Sequence, residues 1–126
     1  MKYLGVFFLM VLAFGCESVD SENPVVYPSD MQEVYKEMVS LSESETCSDS
    51  TQWLFTAYGS KACGGPIGYI AYSKKIDQDY FLGLVDRFTE LQAEYNQKTG
   101  AVSDCALAIR PTGVSCENGK PKFIYS

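Results

Sequence analysis

Residues 77–98 read DQDYFLGLVDRFTELQAEYNQK, and their periodicity decides the fold. Phe81, Leu84, Val85, Phe88, Leu91 and Tyr95 recur at helical spacing and form one apolar stripe. Asp77 stands where an N-cap belongs, and Asp79 falls in the first turn, where a carboxylate favours the helix dipole. Glu94 and Lys98 form an i,i+4 pair in the favourable order, and Gly100 suits a C-terminal stop. About 22 residues at 1.5 Å each give a rod of roughly 33 Å. A helix of that length crosses one face of a small sheet.

Upstream, Met31, Val34, Tyr35, Met38 and Val39 repeat at the same spacing and predict a shorter helix over Ser29–Ser42. Ser29 with Gln32, or Asp30 with Glu33, has capping-box spacing. Residues 52–58, QWLFTAY, alternate Trp53, Phe55 and Ala57 against Leu54, Thr56 and Tyr58, which reads as a strand ended by Gly59. Gly64, Gly65 and Pro66 mark a turn after Cys63, and Tyr69, Ile70 and Tyr72 lie in a short helix or strand. Downstream, strands are expected at about 106–109, 114–116 and 122–125. Asn118-Gly119 makes the last two a hairpin, and Pro121 places its strand at an edge or a start. The expected fold is α+β: two helices packed on a small antiparallel sheet, with both apolar stripes buried between the layers.

The chain opens MKYLGVFFLMVLAFGC. Lys2 and the apolar run after it have the form of a secretory signal, too short for the roughly 20 residues of a membrane span. Its end, residues 12–16, resembles a bacterial lipobox, with Gly15 directly before Cys16. That resemblance implies a diacylglycerol on the Cys16 thiol and a new N-terminus there. Ala13 stands where leucine is usual, and Ala13-Phe14-Gly15 also fits ordinary signal cleavage, which would leave Cys16 a free thiol. The count of five cysteines favours the lipid: with Cys16 acylated, Cys47, Cys63, Cys105 and Cys116 remain as an even set. The expected domains are a signal peptide over 1–15, a lipid-anchored tether over 16–28 with two prolines, and one disulfide-bonded domain over 29–126.

With Lys2 removed, nine basic residues face 16 acidic ones, a net charge of -7. Such a balance disfavours nucleic acid and anionic lipid surfaces as partners. A chain of this size has a modest core, so two disulfides matter to it. Four cysteines allow three pairings. Cys47 precedes the first strand and Cys116 lies by the last hairpin, while Cys63 and Cys105 flank the long helix, which favours Cys47–Cys116 with Cys63–Cys105. Loop entropy gives roughly 4 kcal/mol per bridge for that pairing and about 3 for a sequential one, too close to choose.

No histidine is present, which removes Ser-His, Cys-His and histidine–metal chemistry. No Cys-x-x-Cys occurs, so zinc and thioredoxin-like roles are not expected. Asp86, Glu90 and Glu94 read as one solvated helix face, and Gly59-Ser60-Lys61 lacks the ending of a phosphate loop. No cofactor, metal site or catalytic residue is expected. Arg110, between Cys105 and Cys116, resembles the exposed arginine of a protease-inhibitor loop, but Pro111 directly after it suits an ordinary turn better. Tyr58, Tyr69 and Tyr72 cluster near the glycine turn and are the candidate binding residues, since tyrosine supplies rigid amphipathic contact area.

Trp53, the stretch GSKACGGPIGYIAYS at 59–73, Ser103-Asp104-Cys105 and CENGKP at 116–121 resemble a group of small, uncharacterised lipoproteins of Bacteroidetes-type bacteria. The resemblance covers most of residues 47–125, including the four internal cysteines. It implies an envelope location and a disulfide-bonded domain, and no activity. Glu17, Asp20 and Glu22 fit the acidic stretch that can accompany surface export in such bacteria. The expectation is therefore an outer-membrane lipoprotein, periplasmic or surface-facing, held through a lipid on Cys16. It would be a non-enzymatic binding module for a protein, peptide or glycan. The second reading is an inhibitor of a secreted enzyme, a lysozyme or a protease.

Overall fold

The computed structural model describes residues 27–126. The expected signal peptide, Cys16 and the expected tether up to residue 26 lie outside the described residues. Two helices, α1 (Ser29–Ser42) and α2 (Gln78–Thr99), and two β-hairpins make an α+β fold. The first hairpin is β1 (Trp53–Tyr58) with β2 (Gly68–Ser73), and the second is β3 (Gly113–Glu117) with β4 (Lys120–Ile124). No helix among the described residues is long and apolar enough to cross a membrane.

The ends of α2 follow its sequence. Asp77 accepts a hydrogen bond from the Tyr80 N–H at 3.0 Å, and Gly100 closes the helix with φ 63° while its N–H reaches the Asn96 carbonyl. Helix α1 starts differently. Neither capping box forms: the Asp30 carboxylate is taken by the adjacent Met31 N–H at 2.9 Å, and the Gln32 amide donates backward to the Tyr27 carbonyl at 2.6 Å. Pro28 enters the helix with φ -52°, an angle its ring presets. Tyr27, counted with the tether by sequence, packs edge-on against Tyr95 with ring centroids 5.1 Å apart. The Glu94–Lys98 pair does not close as an ion pair among the described residues, in keeping with the small gain available to exposed charges.

The register of the first hairpin runs from Trp53 opposite Ser73 to Tyr58 opposite Gly68. Because successive side chains leave a strand on opposite faces, each face has its own partner. Leu54, Tyr58, Ile70 and Tyr72 pack with Met31, Met38, Phe81, Val85, Phe88 and Leu91 of the helices. Trp53 and Ala71, on the other face, join Cys47 and contact Val114, Cys116 and Phe123 of the second hairpin. The layers are thus helices, first hairpin, second hairpin. Asn118 (φ 53°) and Gly119 (φ 77°) turn the second hairpin, the two positive angles that a two-residue Asn-Gly loop supplies.

The single small sheet expected from the sequence is divided into two separate two-stranded sheets. The strand expected at 106–109 does not form. Residues 101–111 run without helix, strand, turn or bend. The disulfides are Cys47–Cys116 and Cys63–Cys105, with Cα atoms 5.2 and 5.4 Å apart. The second draws residues 103–106 to the turn between β1 and β2, where side chains rather than a strand ladder hold them.

Candidate binding surface

The site is built from one polar face of α2. Thr89, Gln92 and Asn96 sit at i, i+3 and i+7, beside the apolar stripe. The Thr89 hydroxyl accepts from the Gly59 N–H at 3.0 Å, the Gln92 side-chain oxygen from the Ser60 N–H at 2.6 Å, and the Asn96 amide donates to the Ser60 carbonyl at 2.8 Å. Gln92 is only 6% exposed, so this bond satisfies a buried polar group. Gly59 has φ 79°, and a Cβ there would strike Ile67 and the Gln92 oxygen. Only glycine lets the turn lie this close to the helix.

The turn in turn holds the long loop of residues 101–111. The Lys61 ammonium donates to the Asp104 carboxylate and to the Ala106 carbonyl, both at 2.7 Å. Asp104 also accepts from the Ala106 N–H at 3.1 Å, and the Ser103 hydroxyl accepts from the Cys63 N–H at 3.1 Å. The hydrogen bond and charge of Lys61, then the Ala106 N–H, hold the Asp104 carboxyl below the usual carboxylate range. Cys63–Cys105 adds a covalent tie. At the far end, the Arg110 guanidinium lies 5.6 Å from the Phe55 ring centroid, Pro111 is buried, and the Thr112 N–H donates to the Ile124 carbonyl at 2.8 Å.

Between these moorings the loop faces solvent. Val102, Leu107 and Ile109 are 94%, 83% and 75% exposed, the three most exposed large hydrophobic residues described. The backbone of residues 107–110 makes no hydrogen bond among the described residues. A fixed loop of free backbone groups and bare aliphatic side chains can take a protein surface by apolar contact and by main-chain pairing.

The three candidate tyrosines do not share a surface. Tyr72 is buried with its ring 4.8 Å from Phe81, and burial pushes its hydroxyl pKa up. Tyr58 is half-buried on the same face, 6.1 Å from Phe88, its pKa raised by burial first and by Tyr35 second. Tyr69 lies on the opposite face, 6.1 Å from Phe55. The physical reason is alternation along β2: Tyr69 and Tyr72 are an odd number of positions apart and leave the strand on opposite faces, while the register sets Tyr72 beside Leu54 on the face that Tyr58 shares. Asp79, Asp86, Glu90 and Glu94 are exposed and make no hydrogen bond or ion pair among the described residues. Reading by sequence missed Lys61, Thr89, Gln92, Asn96, Val102, Leu107 and Ile109. The one local signal was the polar i, i+3, i+7 row along α2.

Comparison with known proteins finds no matching family model, no matching curated protein and no matching solved structure.

Proposed function

We propose that this chain is an outer-membrane lipoprotein, anchored through Cys16, whose domain is a non-enzymatic binding module. Its contact surface is the loop 101–111, and its ligand is a protein. The observation that carries this reading is the exposure of Val102, Leu107 and Ile109 on a loop tied down at both ends. Ordering a loop on binding costs roughly 0.5–1.5 kcal/mol per immobilised side chain. A loop already held by a disulfide, an ion pair and a ring contact avoids part of that cost. The lipobox-like end of the signal, the odd cysteine and the resemblance to small envelope lipoproteins support the location.

Recovery of partners from envelope extracts tests the surface. Wild type is expected to retain a partner that Leu107→Ser/Ile109→Ser loses, while Tyr69→Ala retains it. Equal recovery by all three would reject the loop. Labelling with radioactive palmitate tests the anchor: wild type is expected to label, and equal labelling of Cys16→Ser would remove it.

The second reading, inhibition of a secreted enzyme, is favoured by one specific feature. The exposed segment is covalently tied and unbent.

A further inference from the structure

Every peptide bond between Cys105 and Cys116 is spanned by the Cys47–Cys116 disulfide, with Cys63–Cys105 wholly upstream of it. Upstream, Cys105 is tied to Cys63, and downstream, residues 108–126 are tied through Cys116 to Cys47. Within this stretch Leu107, Ile109 and Arg110 are exposed, and Ala108 between them is half-buried. Cutting there would release no fragment and would leave both new ends anchored to the same fold.

Endopeptidases take their substrates as extended chain, paired to an enzyme strand, with one side chain in a specificity pocket. Residues 105–109 have that form. They carry no bend, and the backbone groups of Cys105, Leu107 and Ile109 are unused among the described residues. Ala106 spends both of its groups internally, its N–H on Asp104 and its carbonyl on Lys61. A chain paired along one edge uses alternate residues, so those internal bonds do not compete with an enzyme strand. Leu107 is 83% exposed and matches an apolar pocket. Arg110 does not serve: it is occupied by the Phe55 ring and precedes a buried proline.

Resting on the loop reading above, we propose that residues 105–109 are a substrate-like inhibitory segment for a serine endopeptidase with an apolar primary pocket. Leu107 fills that pocket, and the Leu107–Ala108 bond lies across the catalytic serine. The serine oxygen attacks the Leu107 carbonyl carbon, an ester forms, and the Ala108 nitrogen leaves as an amine carrying the transferred proton. From an ordinary substrate that amine diffuses away, and one water hydrolyses the ester to a carboxylate. Here the Ala108 amine stays beside the ester, because Cys47–Cys116 holds its side and Cys63–Cys105 with Lys61 holds the other. Its lone pair attacks the ester carbonyl, the serine leaves with its proton restored, and the peptide bond is re-formed. The high effective concentration of a held reactant drives this return.

The full-length protein, extracted in a non-ionic detergent, is assayed against chymotrypsin, whose primary pocket is an apolar slot, and trypsin, whose pocket ends in a carboxylate. Wild type is expected to inhibit chymotrypsin about 100-fold more tightly than trypsin. Leu107→Arg should reverse that order, and Leu107→Gly should inhibit neither enzyme with its helical circular dichroism unchanged. Two results would overturn the proposal: no inhibition of chymotrypsin at about 10 μM, or rapid cutting after Leu107 with loss of inhibition. If either occurs while the serine variants of the loop still lose their envelope partner, the loop remains a protein-binding surface and only its target class is rejected.

Discussion

Gly59 carries more of the site than any exposed residue. Its positive φ and its contact with Ile67 and Gln92 let the turn dock on α2, and the turn holds the loop. Gly59→Ala adds left-handed strain of about 1–2 kcal/mol and overpacking of about 1–3. The expected loss is about 2–5 kcal/mol in urea unfolding, and a neutral result would mean the turn can move away. Asp104 sets the pH dependence. Its folded pKa lies below its unfolded one, so the Lys61 contact stabilises the loop above the unfolded value and is lost as pH falls through the folded value. The Ala106 amide resonance should therefore stay fixed from pH 7 to about 5 and move only below about pH 4. A transition centred near neutrality would contradict that account.

The elements divide by how local their instructions are. Both helices and the last hairpin were legible, because the apolar repeat, Asp77, Gly100 and Asn118-Gly119 act within a few residues of themselves. Met38, fully buried between the layers, follows from that repeat. Met38→Ala is expected to cost about 2–5 kcal/mol, and Asp77→Ala about 1, both read from thermal or urea unfolding. Residues 106–109 were not legible. Ala-Leu-Ala-Ile has the look of a strand, but what places it is Lys61 and Cys63, more than 40 positions upstream. The tyrosines failed as a patch for a related reason. The alternation in 52–58 was visible, but residues 69–72 read equally as helix or strand, and only in a strand do positions three apart point to opposite faces.

Across the whole molecule, the two disulfides have different work. Cys47–Cys116 is packed with Trp53 in the smaller core and joins the second hairpin to the chain ahead of β1. Its removal by Cys47→Ala/Cys116→Ala should cost about 2–5 kcal/mol. Cys63–Cys105 lies at the surface and holds the loop, so Cys63→Ser/Cys105→Ser should leave the helices intact and speed amide exchange across 102–110. On the proposed function, this loop is where the protein meets its partner. Photo-cross-linking in intact cells tests that contact, with a photoreactive residue placed in the full-length chain at position 107, 109, 69 or 80. Discrete adducts at 107 and 109, with none at 69 or 80, are the expected result. Adducts at 69 or 80 with none in the loop would contradict it.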